Sequence, residues 1–187
     1  MVINRVKELP NKIHIIGSVG SGKTTLARTL SKKFDIPFYE LDNVVWERHP
    51  SGDIRRPDEE RDQYLDQIVR TKRWIIEGAH HHHWVGKSFD NADLIIFLDT
   101  SYWVRTYRIN KRFVRQVLRI EAANYKPSFK IYKSMFRWNK GFEKESKPKI
   151  FKMLEQRKVK FMILKNNKEM DPLFDYWSVN RNRNSEV

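Results

Sequence analysis

The chain is organised around one octapeptide near its N-terminus, Gly17-Ser18-Val19-Gly20-Ser21-Gly22-Lys23-Thr24. It fits the pattern G-x-x-x-x-G-K-[ST] at every position. The glycines let the backbone curl so that successive N–H groups point at phosphate oxygens, and a following helix adds its positive end. In such a loop Lys23 would reach the β- and γ-phosphates of a nucleotide, and the hydroxyl of Thr24 would ligate Mg²⁺. The motif therefore predicts a site for ATP and Mg²⁺, whose nucleotide-binding residues are Gly17, Ser18, Val19, Gly20, Ser21, Gly22, Lys23, Thr24 and Thr25.

The sequence on both sides of this loop has the pattern that the motif requires. The apolar run at residues 13–16 predicts a strand before the loop, and the spacing of Leu26, Leu30 and Phe34 predicts a helix after it. Further strands are predicted at residues 37–41, 74–76 (closed by Glu77-Gly78), 93–98 and 159–164, and helices at 58–71, 102–121, 148–157 and from 171, with a loop at 43–57. Alternating strands and helices indicate an α/β fold, with a parallel five-stranded sheet covered by helices on both faces.

Composition narrows the class of protein. The 187 residues carry 37 Lys or Arg against 23 Asp or Glu, a formal net charge of +14, and no cysteine, which excludes a disulfide scaffold and a thiolate metal site. No apolar run is long enough for a membrane span or a signal peptide, so we expect a cytoplasmic protein without a membrane partner. We also expect one domain over residues 1–178 and a flexible tail at 179–187. The positive charge favours a polyanionic partner, whether nucleic acid, an anionic membrane or a phosphorylated small ligand, without choosing among them.

The predicted helix at residues 102–121 has the clearest charge pattern. At about 100° per residue its basic side chains share an arc of roughly 120°. These are Arg105, Arg108, Lys111, Arg112, Arg115 and Arg119. The opposite side carries Tyr107, Ile109, Phe113, Val114, Val117, Leu118 and Ile120, which we expect to pack in the core. The basic stripe is either a solvated face or, because the helix follows a strand end, a surface that faces phosphates.

The ordered motifs resemble the P-loop kinases of the adenylate-kinase and shikimate-kinase type, and more narrowly the DNA topology modulation proteins, which are FlaR-like. The matching segments span residues 12–165 and comprise the loop at 17–24, Leu41-Asp42, Arg55-Arg56-Pro57, Trp74-Ile75-Ile76-Glu77-Gly78, Phe97-Leu98-Asp99 and Tyr107-Arg108-x-x-x-Arg112. This resemblance implies a helical lid, which we place at about residues 120–147. Arg137 and Lys140 would add positive charge from that lid.

The same resemblance assigns roles to individual residues. Arg108 and Arg112 match an R-x-x-x-R pair that packs on adenine and neutralises the transferred phosphate, so they join Lys23 as predicted catalytic residues. Asp42 lies where such kinases bind the acceptor or accept its proton, although it would equally cap a turn. Glu77 and Asp99 join Thr24 as predicted metal-binding residues. An ordinary acid at a strand end for Glu77, and a helix cap for Asp99, are the alternatives.

One segment departs from the kinase pattern. Adenylate kinases carry an arginine shortly after the acid–Gly pair to hold the acceptor's phosphate, whereas this chain has Ala79-His80-His81-His82-His83-Trp84. Arg48, Arg55 or Arg56 would have to substitute for it. The four histidines would bind a metal, line the acceptor pocket or lie in a solvated loop, and no more than two of them converge easily.

Three functions are compatible with these patterns. The leading hypothesis is a phosphotransferase that moves the γ-phosphoryl group of MgATP to a small acceptor, a nucleotide or a hydroxylated metabolite. The alternative is an ATP-gated regulator that binds nucleic acid non-specifically through its basic surface and the aromatics at residues 125–138. Plain ATP hydrolysis that drives a partner protein ranks last, because the length leaves no room for a motor domain.

Overall fold

The sheet confirms the predicted α/β fold. The computed structural model describes residue 6 and residues 8–49, 52–121, 128–157 and 159–184. Its strands are β1 (Lys12–Gly17), β2 (Phe38–Glu40), β3 (Trp46–Glu47), β4 (Ile54–Arg55), β5 (Trp74–Gly78), β6 (Leu94–Leu98) and β7 (Phe161–Leu164). Five of them form a parallel sheet in the order β2-β5-β1-β6-β7, while β3 and β4 pair as a separate antiparallel ribbon. The phosphate-binding loop therefore leaves the central strand of the sheet.

Helices cover both faces of this sheet. They are α1 (Lys23–Phe34), α2 (Leu41–Val45), α3 (Asp58–Arg70), α4 (Gly86–Asp90), α5 (Tyr102–Val117), α6 (Phe129–Gly141), α7 (Lys147–Gln156) and α8 (Asp171–Asn184). A π-helical segment, Phe142–Ser146, joins α6 to α7, and short 3₁₀ turns lie at His83–Val85 and Asn167–Met170. Within these described ranges no helix is long and apolar enough to cross a membrane.

Two apolar clusters fix the helices to the sheet. Ile13 and Ile15 of β1 pack on one face with α1 and α8, where Phe34 meets Trp177 edge-on at a centroid distance of 5.9 Å. Ile16 lies in the cluster on the other face with α3, α4 and α7. Since the β5 and β6 side chains are buried on both faces, their continuous Ile and Leu runs are what a central parallel strand requires.

Several element bounds differ from the sequence predictions. Strand β2 stops at Glu40, and Asp42 lies in α2 instead of at the strand end. The predicted loop at 43–57 contains part of α2 and the β3–β4 ribbon. Helix α5 ends at Val117, four residues early, and α8 continues to Asn184, into the predicted tail. Of the predicted lid, residues 122–127 lie outside the described ranges, and the remainder is mainly α6 and the π segment.

The predicted core face of α5 is wrong for most of its residues. Ile109 is buried, but Tyr107, Val114, Val117, Leu118 and Ile120 are exposed by more than half of their surface. The helix turns a different side inward because Arg105, predicted in the basic stripe, is fully buried and α6 covers the next strip, with Tyr132 stacked on Phe113 at 4.3 Å. Arg105 forms an ion pair with Glu143, and this pair, instead of the apolar side chains, lies on the inner side of α5.

Candidate functional site

The phosphate-binding loop has the backbone that its motif requires. Gly20 and Gly22 adopt left-handed conformations, with φ of 73° and 101°, that other residues rarely take. The hydroxyl groups of Ser18 and Ser21 are buried within the loop and have no hydrogen-bond partner among the described residues. Such orphaned donors fit a ligand with many acceptor oxygens. The loop therefore suits the phosphates of a nucleotide, as the sequence predicts.

Lys23, Thr24 and Glu77 form a compact group at the start of α1. The Thr24 hydroxyl donates to Glu77 Oε1 at 2.5 Å, and the Lys23 ammonium lies 3.9 Å from Glu77 Oε2 while donating to the carbonyl of Ser18 at 3.2 Å. Burial raises the pKa of Glu77, and the nearby Lys23 charge and the Thr24 hydrogen bond act against that shift. Lys23 and Thr24 thus lie where the motif needs them, and Thr25 follows in the exposed first turn of α1.

The donor set of this group fits Mg²⁺. A hydroxyl and a carboxylate are hard oxygen ligands, and Mg²⁺ commonly takes one or two such protein ligands and completes its shell with phosphate oxygens and waters. In the part of the chain that the structure describes, no cluster of three or more His, Asp or Glu side chains forms an all-protein metal site. Thr24 and Glu77 are therefore the residues that would hold Mg²⁺ together with nucleotide phosphates.

Asp99 is not available for the metal role that the sequence suggests. Lys147 Nζ lies 2.6 Å from one of its oxygens, and Lys165 donates to the other. Burial disfavours the charged form of Asp99, but the two lysine hydrogen bonds outweigh it and lower the carboxyl pKa. This carboxylate ties the end of β6 to α7 and to the segment after β7 instead of presenting a free oxygen to a cation, which corrects the sequence prediction.

Two side chains from distant segments contact the backbone of the loop. Arg108 Nη1 donates to the carbonyls of Gly20 and Ser21 at 3.3 and 2.8 Å. Asn167 Nδ2 donates to the carbonyl of Gly22 at 3.2 Å. The sequence predicts Arg108 but misses Asn167, although its position just after the last strand of the sheet is a usable signal.

Arg112, the other arginine of the predicted pair, lies away from the loop. Its side chain is 46% exposed, and its Nε is 3.6 Å from a Glu121 carboxylate oxygen. The backbone of Arg105 packs closely against the loop, since its carbonyl oxygen would lie 3.0 Å from a Cβ placed on Gly20. Its guanidinium is fully buried, pairs with Glu143 and lies 4.9 Å from the Phe142 ring.

Asp42 lies near Lys23, on the other side of the loop from Arg108. A Cβ on Gly78 would come within 2.8 Å of the Leu41 side chain, so this glycine lets α2 pack against the end of β5. His80 Nε2 lies 3.3 Å from Asp42 Oδ1, and this hydrogen bond, opposed by desolvation and aided by the charges of His80, Lys23 and Arg48, lowers the pKa of Asp42. Asp42 is thus held as a carboxylate at the mouth of the site, 68% exposed.

The histidine run does not converge on one point. His80 faces Asp42 and meets Trp84 edge-on at 5.3 Å, whereas His81 stacks on His82 at 4.8 Å. His83 opens the 3₁₀ turn. Of the three interpretations of this run, a lining for the site beside Asp42 therefore fits His80, and the histidines do not gather as a set of metal ligands.

The three candidate phosphate-binding arginines before α3 all have acidic partners. Arg48 pairs with Asp53, and its Nε donates to Asn43 at 2.9 Å. The other two pairs are Arg56 with Glu47 at 2.6 Å and Arg55 with Asp58 at 3.7 Å. The arginines predicted to replace the missing phosphate-binding arginine are thus each paired with a nearby carboxylate.

Comparison with known proteins finds several solved structures and one family model that are similar to this chain. Solved structures with a similar chain course include a shikimate kinase from Aquifex aeolicus, at 16% identity and a TM-score of 0.48 over 93% of this chain and 98% of that one. A deoxyadenosine kinase from M. mycoides matches at 16% identity and 0.45 over 93% and 99%. A sugar kinase from Janibacter sp. matches at 17% and 0.47 over 86% and 87%. The search of curated proteins gave no significant match. The family model described as an AAA domain matches residues 13–123, more than half of the sequence, and the chain therefore belongs to that family.

Proposed function

We propose that the protein is an ATP-dependent phosphotransferase of the nucleotide-kinase-like group, which moves the γ-phosphoryl group of MgATP to an oxygen of a small acceptor. The observation that carries this proposal is the position of Asp42. It follows β2 at the edge of the sheet where the phosphate-binding loop leaves β1, and the His80 hydrogen bond, with the nearby charge of Lys23, lowers the pKa of its carboxyl. A phosphate site with a carboxylate beside it is what phosphoryl transfer to an acceptor needs.

The reaction that these residues support is a single displacement at the γ-phosphorus. A bond forms between the acceptor oxygen and phosphorus, the bond to the bridging oxygen of ADP breaks, and its electron pair remains on ADP. Asp42 accepts the hydrogen bond of the acceptor hydroxyl and then its proton, which passes to solvent because the carboxylate is exposed. Because the pKa of Asp42 is lowered, its main contribution is orientation, which suffices where the transition state is loose.

The remaining side chains of the site stabilise charge. Lys23 and the loop N–H groups bind the β- and γ-phosphates, and Mg²⁺ held by Thr24 and Glu77 supplies further neutralisation when bound. Arg108 donates to the loop carbonyls from α5, a position from which its guanidinium would also reach the nucleotide. Arg112 would join it only by exchanging its Glu121 partner for the transferred phosphate.

We further propose that the chain is a FlaR-like member of the kinase group and acts in the cytoplasm. The order of its motifs supports the first statement, from the loop at 17–24 to the Arg108-x-x-x-Arg112 pair. The alternative of an ATP-gated nucleic-acid regulator has no comparable supporting observation. Its basis is the net charge of +14, which is not specific for nucleic acid, and the aromatics at residues 125–138, of which Phe129 and Trp138 are exposed.

The test is ATP consumption in the presence of Mg²⁺ across nucleosides, nucleoside monophosphates and hydroxylated metabolites. Lys23→Ala should abolish transfer to any acceptor that the wild type phosphorylates, because it removes the charge on the β- and γ-phosphates. Lys32→Ala is the matched control, since Lys32 is an exposed lysine on the same helix. Tight ATP binding with no acceptor turned over would contradict the proposal and favour ATP-gated binding of another macromolecule.

A further inference from the structure

We infer that the acceptor is a hydroxyl compound that carries no phosphate group and no net negative charge. This inference rests on the proposed phosphotransferase function and names the substrate class of the same site. It comes from how charge is divided between the two sides of the phosphate-binding loop.

The segment that surrounds Asp42 is acidic within a strongly basic protein. Residues 40–62, from the end of β2 into α3, contain eight Asp or Glu and four Arg, a net charge of −4, whereas the whole chain carries +14. Apart from Lys23 of the motif itself, the basic residues that contact or neighbour the loop come from segments after residue 100, among them Arg105, Arg108, Lys147 and Lys165. The field of the protein therefore draws a polyanion to the side of α5 and repels it from the side of α2.

The arginines of the acidic segment, residues 40–62, are already paired with carboxylates. The Arg56 guanidinium binds Glu47 and the Val44 carbonyl and lies 5.1 Å from the Tyr64 ring centroid. Arg61 has the same kind of environment, since its guanidinium binds Asp58 at 2.6 Å and Asp62 at 2.7 Å and lies 4.6 Å from the Trp84 ring. Two undescribed residues of this loop, 50 and 51, are Pro and Ser and add no cation.

A phosphorylated acceptor would therefore have to break an ion pair to bind. Taking Arg48 from Asp53, or Arg56 from Glu47, leaves a carboxylate next to the incoming phosphate, and like charges at short range disfavour both. Arg55 is the most loosely paired, at 3.7 Å from Asp58, but its side chain is 63% exposed. Among the residues that the structure describes, this side of the site thus has no uncommitted, inward-facing guanidinium of the kind with which a protein usually recognises phosphate.

The groups that remain suit hydroxyls and rings. Asp42 and His80 provide hydrogen-bond acceptors and a donor beside an aromatic wall formed by Trp84. Beside β2 and α2, a recess of about 150 Å³ is also lined by aromatic and polar groups, namely Phe38, Tyr39, Glu40, Asn43, Val44 and Tyr64. A cavity of that size holds a six-membered ring. Carboxylates, an amide and aromatic faces bind a neutral or cationic polyol or ring, and they offer nothing to a second phosphate.

Matched acceptor pairs test the inference. Each pair consists of a hydroxyl compound and its phosphorylated form, such as a nucleoside with its 5′-monophosphate and a hexose or amino sugar with its 6-phosphate. For at least one pair we expect kcat/KM for the unphosphorylated member to exceed that of its partner by 100-fold or more. Preference for the phosphorylated members would overturn the inference and leave the proposed function standing. Transfer to no member of any pair, with ATP still bound, would overturn both.

Two variants test the physical reason for the preference. Glu47→Gln removes the partner of Arg56, and Asp53→Asn that of Arg48, so each should narrow the preference at least 10-fold by freeing a guanidinium for phosphate. The matched control is Asp66→Asn, which removes the same charge from α3 but frees only Lys87. An unchanged preference in both variants, with native melting temperatures, would show that ion pairing of these arginines does not set specificity and would overturn the inference.

Discussion

His14, in the central strand, makes the stability of this protein depend on pH in a way that can be calculated. Its ring is completely buried and stacks on Phe89 at a centroid distance of 3.9 Å. Ser88 Oγ donates to the Val85 carbonyl at 2.7 Å, so at 3.1 Å it accepts from Nδ1–H of His14. Nε2 is then the site that a second proton would occupy, and it has no partner among the described residues.

Burial, aided by the charge of Arg157, lowers the pKa of His14 from 6.5 to about 3. The unfolded chain therefore takes up a proton near pH 6.5 that the folded chain refuses until pH 3, and the folded state loses stability as the pH falls between these values. Between pH 7 and pH 4.5 this linkage amounts to about 2.5 kcal/mol of unfolding free energy. For a chain of this size that corresponds to roughly 5–10 °C in melting temperature.

The assay is urea unfolding at pH 7, 6, 5 and 4.5, followed by circular dichroism, for wild type and His14→Asn. The asparagine keeps a donor near the position of Nδ1 and cannot titrate, so its intrinsic stability is lower but its loss between pH 7 and 4.5 should be smaller by about 2.5 kcal/mol. His14→Phe, which keeps the stacking on Phe89, checks that lost packing is not responsible. Parallel pH profiles for all three proteins would refute the argument, because other titrating groups are common to them.

Three further predictions concern the site and its supports. Glu77→Gln should raise the melting temperature of the nucleotide-free protein by about 2–4 °C at pH 7, and less at pH 4, because the cost of the buried charge grows as the pH rises through the raised pKa; it should also reduce stabilisation by MgATP. Glu143→Gln should lower the unfolding free energy in urea by about 3 kcal/mol, since it leaves fully buried Arg105 unpaired, and Arg105→Met should cost less. Asn167→Ala should weaken ATP binding by roughly fivefold in calorimetry, the equivalent of about 1 kcal/mol for one hydrogen bond to the loop. Equal melting temperatures of the wild type and Glu77→Gln would contradict the first prediction. Equal losses of unfolding free energy in Glu143→Gln and Arg105→Met would contradict the second, and an unchanged ATP affinity of Asn167→Ala would contradict the third.

The parts of the molecule that local sequence determines were predictable. The loop at residues 17–24 specifies its own conformation, through glycines at left-handed positions and a helix that begins at Lys23. Continuous Ile and Leu runs in β5 and β6 indicate central parallel strands without knowledge of their neighbours. The positions of Lys23 and Thr24 at the start of α1 follow from the same short motif.

What the sequence did not determine depends on contacts between distant segments. Periodicity placed Arg105 on a basic stripe that faces either solvent or phosphates, because it does not show that Glu143, 38 residues later, pairs with this arginine in the interior. Asp99 looked like a metal ligand because its two lysine partners are 48 and 66 residues away. Each error has the same cause, since a charged side chain changes its role when a counter-charge arrives from another element.

Ion pairs between distant segments also explain how the protein accommodates many cations beside the phosphate-binding loop. Arg105 meets Glu143, Glu143 lies 3.9 Å from Lys147, and Asp99 accepts from Lys147 and Lys165, so three cations share two carboxylates. The π-helical segment sets the register between Glu143 and Lys147, which places one beside α5 and the other at the end of β6. Because the chain of pairs keeps one unit of positive charge in excess, it holds the helices in place and still favours an anion at the neighbouring loop. The arginines on the acceptor side are matched by carboxylates, with no such excess of positive charge. Under the proposed function, this difference in charge directs the nucleotide to the loop and the acceptor to the side of Asp42.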